Sequence, residues 1–140
     1  MPNEQMKIDA VFEPITSKYE IRIVYKIGDD FFSPLKNTLI PAGPSKSSKV
    51  EPIRHRVLIK YPHILLKAFS KYPDKVIKDH LRAIYFAGEI DDGVLECSGT
   101  YDPFRRIIYL VDNGGKNDER AMRTFHHEFS SLLLARHSFL

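Results

Sequence analysis

Cysteine is almost absent from this 140-residue chain: Cys97 stands alone, so no intramolecular disulfide and no cysteine-based zinc finger can form. Apolar runs of the roughly 18 residues needed to cross a bilayer are missing as well. The opening Met1-Pro2-Asn3-Glu4-Gln5 has neither a basic n-region nor an apolar h-region, which predicts no signal peptide here. No internal repeat is found, and no Gly-Lys-Ser/Thr follows Asn113-Gly114-Gly115, which therefore reads as a turn. Charge of one sign is not dominant either, with 21 basic residues against 18 acidic ones and a net charge of +3. What is present is ordinary for a folded chain. Hydrophobic residues make up 43% and charged ones 28%, which excludes disorder and collagen-like repeats. The length predicts a single domain spanning 1–140.

Charge is nonetheless uneven along the chain. From Glu51 to Arg82 eight basic residues, beginning with Arg54, Arg56 and Lys60, meet only Glu51, Asp74 and Asp79. Such a run is the solvated face of amphipathic helices, or a face for an acidic partner. No aromatic-rich RNA-binding motif or helix-turn-helix spacing accompanies it, so no specific nucleic-acid partner is expected.

Periodicity sets the expected elements. Ile8, Val11, Phe12 and Ile15 fall on one helical face. Tyr19 to Ile27 alternates apolar and polar residues and predicts a half-buried strand. Phe31 to Val50, with its prolines and Ser45-Lys46-Ser47-Ser48-Lys49, predicts an irregular loop. Glu51 to Leu81 reads as helical pieces broken before Pro62 and Pro73. Strands are expected at Ala83 to Ile90, Leu95 to Tyr101 and Arg106 to Val111, the last buried on both faces. A final helix begins at Asn117 or Asp118 and faces the core through Met122, Phe125, Phe129, Leu132 and Leu133. The order predicts an α+β fold with a mixed sheet of about four strands and the final helix packed on it.

One stretch carries recognisable chemistry, Phe125-His126-His127-Glu128-Phe129-Ser130-Ser131. Zinc hydrolases place His-Glu-x-x-His on a helix, so that two imidazoles one turn apart hold the metal and the glutamate takes a proton from its water. His127-Glu128 opens that pattern, and Ser131 stands where the second histidine belongs. His126 lies beside the apolar stripe and reads as a core or edge histidine. His55, His63 and His80 show no ligand spacing, and His80 falls near a helix end where a cation is favourable. Ser130 and Ser131 lack a Gly-x-Ser-x-Gly elbow. Cys97 reads as a small core residue in a strand.

The stretch resembles a zincin-like, zinc-binding metallopeptidase family of exported bacterial lipoproteins, whose members carry a Phe/Ile-His-His-Glu-Phe-x-His helix. The strand Tyr19 to Lys26, the segment Phe69-Ser70-Lys71-Tyr72-Pro73 and the strand pair before the helix are similar too, so the likeness runs from about Val11 to Leu134. Phe125 to Phe129 is its most specific part. The resemblance implies a zincin-like fold, zinc as cofactor, a peptide or protein substrate and a place in the cell envelope or outside it. It implies His127 as first zinc ligand and Glu128 as general base, with Ser131 departing from the second ligand. The third ligand of that family lies further along than Leu140, which implies a C-terminally shortened member. His137, ten residues after His127, has the spacing of the third metzincin histidine, with Leu134 in place of the glycine that turns those helices. The expected function is therefore a zinc-dependent peptidase with a degenerate motif, weakly active or inactive. The alternative is a non-catalytic peptide- or glycan-binding module on the same scaffold.

Overall fold

The first described element is helix α1, Glu4–Tyr19, whose first turn is capped by Asn3 accepting from the Met6 N–H at 2.8 Å. The computed structural model describes residues 3–33, 42–91 and 97–139. Ile8, Phe12, Ile15 and Tyr19 form the buried stripe of α1, while Val11, expected among them, is exposed. At 100° per residue Val11 lies on the margin of that stripe, where the helix turns to water.

Glu20 takes a left-handed conformation, φ 58°, and ends the helix. Tyr19 is therefore the last residue of α1 and not the first of a strand. Strand β1 is only Arg22–Val24, because the ladder lasts only while β3 lies alongside. The rest of the alternating stretch keeps its sided burial as extended chain, with Ile21 and Tyr25 buried. A short 3-10 turn, Asp29–Phe31, follows.

The loop expected from Phe31 to Val50 includes 34–41, which lie outside the described residues. Its end forms β2, Lys49–Glu51. Three short helices follow: α2, His55–Leu58, α3, Tyr61–Phe69, and α4, Asp74–His80. Pro62 sits in the first turn of α3, where a missing N–H costs nothing, and Pro73 precedes α4.

Ala83–Ala87 is β3 and Glu89–Asp91 is β4, so the single strand expected from Ala83 to Ile90 is two. Gly88 divides them. A Cβ there would stand 2.7 Å from the Pro52 carbonyl oxygen, so only glycine admits the crossing chain. The start of the strand expected from Leu95 lies outside the described residues; Gly99–Asp102 is β5 and Ile107–Val111 is β6. The last element is α5, Asp118–Phe139.

The main sheet runs β1-β3-β6-β5, and β2 pairs with β4 in a separate ribbon. β1, β3 and β6 are parallel; β5 is antiparallel to β6 and stands at the edge. The fold is α+β, with a mixed four-stranded sheet and the terminal helix packed on it. Both central strands are buried throughout. Ile84, Phe86, Ile108 and Leu110 face the helices and meet Phe12, Leu65, Phe125 and Phe129 in the larger core. Tyr85, Tyr109 and Val111 point the other way, under Phe31. Polar bonds fasten that second face: Tyr109 donates to the Phe31 carbonyl at 2.7 Å, and Arg105 reaches Tyr109, the Asp30 carbonyl and the buried carboxylate of Asp102.

Candidate functional site

α5 starts where the sequence places it: the Asn117 side chain accepts from the Arg120 N–H at 2.8 Å. Phe125 stacks at 5.5 Å on Phe129, and both are fully buried. These two rings fix the rotation of the helix. His127, two residues after Phe125, is exposed, whereas Glu128, just before Phe129, is turned towards β5 and only 7% exposed.

The closeness of helix and strand depends on Gly99. A Cβ at that position would lie 2.8 Å from Thr124 Cγ2, 3.0 Å from the Tyr109 carbonyl oxygen and 3.2 Å from Glu128 Cγ. On the far side of β5, Tyr101 accepts from the Gly43 N–H at 3.0 Å, so that part of the sheet edge is already paired.

A pocket of about 430 Å³ opens beside this junction. Glu128 and His127 line one wall, with Thr124, Arg123 and Arg120 along the helix, and Ser98 and Lys116 opposite. Burial raises the Glu128 pKa above the usual carboxylate range, opposed by the neighbouring charges of His127 and Lys116. Lys116 donates to the Ser98 carbonyl at 2.8 Å and to Thr124 Oγ1 at 3.0 Å. Burial, helped by Arg120, lowers its pKa, against the pull of Asp112 and Glu128.

Zinc does not fit the residues that the resemblance assigns to it. Ser131 turns its hydroxyl back to donate to the His127 carbonyl at 3.0 Å. His137 lies on the same unbroken helix as His127. Ten helical residues set the two about 15 Å apart along the axis and about 80° apart around it. Ligands held about 2 Å from one ion cannot span that. The glycine-dependent turn of metzincins has no counterpart at Leu134, where the helix runs on. Among the described residues, no three His, Cys, Asp or Glu side chains gather as a metal site.

Three of the other histidines have partners of their own. His126 Nδ1 meets the Tyr72 hydroxyl at 2.8 Å, and burial with Lys71 nearby lowers its pKa. His80 Nδ1 accepts from Arg136 Nε at 3.1 Å. Burial and that guanidinium lower its pKa, so the cation expected at the helix end is disfavoured. His55 contacts Glu4 at 2.7 Å, and His63 is exposed. Cys97 lies just before β5 and is only partly buried, donating to the Gly99 carbonyl at 3.0 Å.

Lys116, Arg120, Arg123 and Thr124 were not marked by the motif. Their signal is helical spacing: Arg120, Arg123 and His127 recur at three and four residues, one face away from the apolar stripe. A second pocket, about 330 Å³, adjoins the first through Lys116 and is lined by Arg54, Arg56, Lys60 and the buried Asp112. Compared with family models, with curated proteins and with solved structures, the chain matches none.

Proposed function

We propose that this chain keeps the scaffold of the metallopeptidases it resembles and serves as a non-catalytic domain, binding a peptide or protein segment in the cleft between β5 and α5. The observation that carries this reading is the placement of Glu128 beside His127, buried against β5 at the wall of an open pocket. A His-Glu pair on a helix behind a mixed sheet is what the resemblance implies. The donor set does not fit zinc, so no hydrolytic step is assigned to Glu128.

The same residues suit recognition of peptide groups. A carboxyl with a raised pKa donates to a carbonyl when protonated and accepts an amide N–H when ionised. Because Gly43 already pairs with the edge of β5, the ligand is held by side chains of α5 and not by added-strand pairing.

The test combines metal retention, proteolysis and binding. The purified protein is loaded with zinc and dialysed against a mild chelator, then assayed on a quenched fluorogenic casein. Separately, amide resonances are followed while a mixed-sequence peptide library is added. The expected result is no retained zinc, no cleavage, and shifts concentrated between Lys116 and Ser131. Stoichiometric zinc with cleavage would restore the hydrolase reading, and an unshifted spectrum would remove the binding one.

A further inference from the structure

The charge around the cleft is not the outward face of one helix. Arg54, Arg56 and Lys60 come from the chain around α2, and Arg120 and Arg123 from α5. They are far apart in sequence, yet they converge on two pockets that share Lys116. Across both pockets the acidic side chains are Asp112 and Glu128, and both are buried. Asp112 is already occupied, accepting from the Lys116 N–H at 3.3 Å.

The cations lack matching partners. Among the described residues, Arg54, Arg56, Lys60 and Arg120 make no ion pair. Arg123 has one, to Glu119 at 3.9 Å, with both side chains largely exposed. Lys116 spends two of its N–H groups on uncharged oxygens, which leaves one donor of its ammonium for a ligand. Six cations against two carboxylates leave an excess of positive charge around the half-buried Lys116, which an added anion would offset.

We infer that the two pockets on either side of Lys116 form one recognition site for an acidic peptide, with one carboxylate side chain taken up in each pocket. This rests on the reading of the cleft as a peptide site and names the class of peptide. A peptide is favoured over a nucleic acid for two reasons. Among the described residues no Phe, Tyr or Trp lines either pocket, so the broad rings on which bases stack are missing there. Glu128 at the pocket wall can exchange hydrogen bonds with the backbone amide groups of a peptide, which a phosphodiester backbone lacks.

The experiment uses fluorescence anisotropy with three labelled probes of equal length: a Glu/Gly peptide, its Gln/Gly counterpart and a single-stranded oligonucleotide. Each is titrated with the full chain at low and at physiological salt. Two double variants follow, Arg120→Gln/Arg123→Gln in one pocket and Arg54→Gln/Lys60→Gln in the other, each checked for folding by circular dichroism. The expected outcome is that the Glu/Gly peptide binds best, that salt weakens it, and that each double variant lowers its affinity about tenfold or more. Equal binding of the Gln/Gly peptide overturns the acidic specificity and leaves the peptide cleft standing. Tighter binding of the oligonucleotide overturns it in favour of nucleic acid. Failure of both peptides removes the cleft reading as well, and loss in only one double variant overturns the two-pocket arrangement.

Discussion

Replacing Gly99 by alanine tests the junction on which the site depends. The added methyl would stand 2.8 Å from Thr124 Cγ2, 3.0 Å from the Tyr109 carbonyl oxygen and 3.2 Å from Glu128 Cγ. The carbonyl belongs to a central strand and cannot retreat, and threonine is stiff at χ1. α5 must therefore move away from β5. Forced overpacking of this kind costs about 1–3 kcal/mol. For a chain of this length, unfolding entropy converts each kcal/mol into about 3–4 °C, so melting should fall by about 3–10 °C. A second variant shows where the strain lies. Thr124→Ser removes the nearest methyl yet keeps the hydroxyl that accepts from Lys116 and donates to the Arg120 carbonyl. In a double-mutant cycle by urea denaturation, Gly99→Ala and Thr124→Ser should couple favourably by at least about 0.5 kcal/mol. If Gly99→Ala melts with the parent, or if the two changes simply add, α5 does not lie against β5 as described.

Glu128→Gln should raise stability at pH 7.5 and lose that advantage in acid. Its folded pKa is raised, so the stability it contributes is present below the unfolded value and lost as pH rises through the folded one; paired thermal melts at pH 7.5 and 4.5 read this. His126 and His80 carry the opposite sign. Their folded pKa values are lowered, so stability holds above the unfolded value of about 6.5 and falls as pH drops below it. Melting should decline between pH 7 and 5.5, and His126→Gln should flatten part of that decline. Phe125→Ala should cost about 3–5 kcal/mol in chemical denaturation, since it empties a site that Phe69, Tyr72 and Phe129 all touch. Ser131→His should raise zinc affinity measurably in calorimetry without producing proteolysis, because residues 127 and 131 lie one turn apart and no third donor joins them among the described residues. An equal rise with His127→Ala added would show that the new histidine acts elsewhere.

Long periodic elements were readable and short paired ones were not. Ile107 to Val111 announced a strand buried on both faces by its unbroken apolar run, and Phe125, Phe129 and Leu132 announced the inner face of α5. β2 and β4 have three residues each and exist because they pair with one another, which no local pattern records. Tyr19 shares the alternation of the strand after it, but the left-handed Glu20 decides that it belongs to the helix. The motif led to Glu128, whose burial the structure places at the pocket wall. It also drew attention to His137, which an unbroken helix carries away from His127. Lys116 and the arginines stayed hidden because their meaning comes from convergence. Arg120 is four residues from Lys116 in sequence, but Arg54 meets that lysine only in the folded chain.

The parallel pairing of β1 with β3 has a kinetic consequence. Arg22 meets Ala83, its partner about sixty residues later, whereas β5, β6 and α5 are contiguous along the chain. Closing the longer loop carries a larger entropic penalty before any contact repays it. The hairpin of β5 and β6 with α5 should therefore assemble early, and β1, carrying α1 with it, should dock last. Folding rate would then respond to core substitutions in α5, while substitutions in α1 would act mainly by hastening unfolding. The cleft between β5 and α5 would thus take shape in the part of the molecule that organises first.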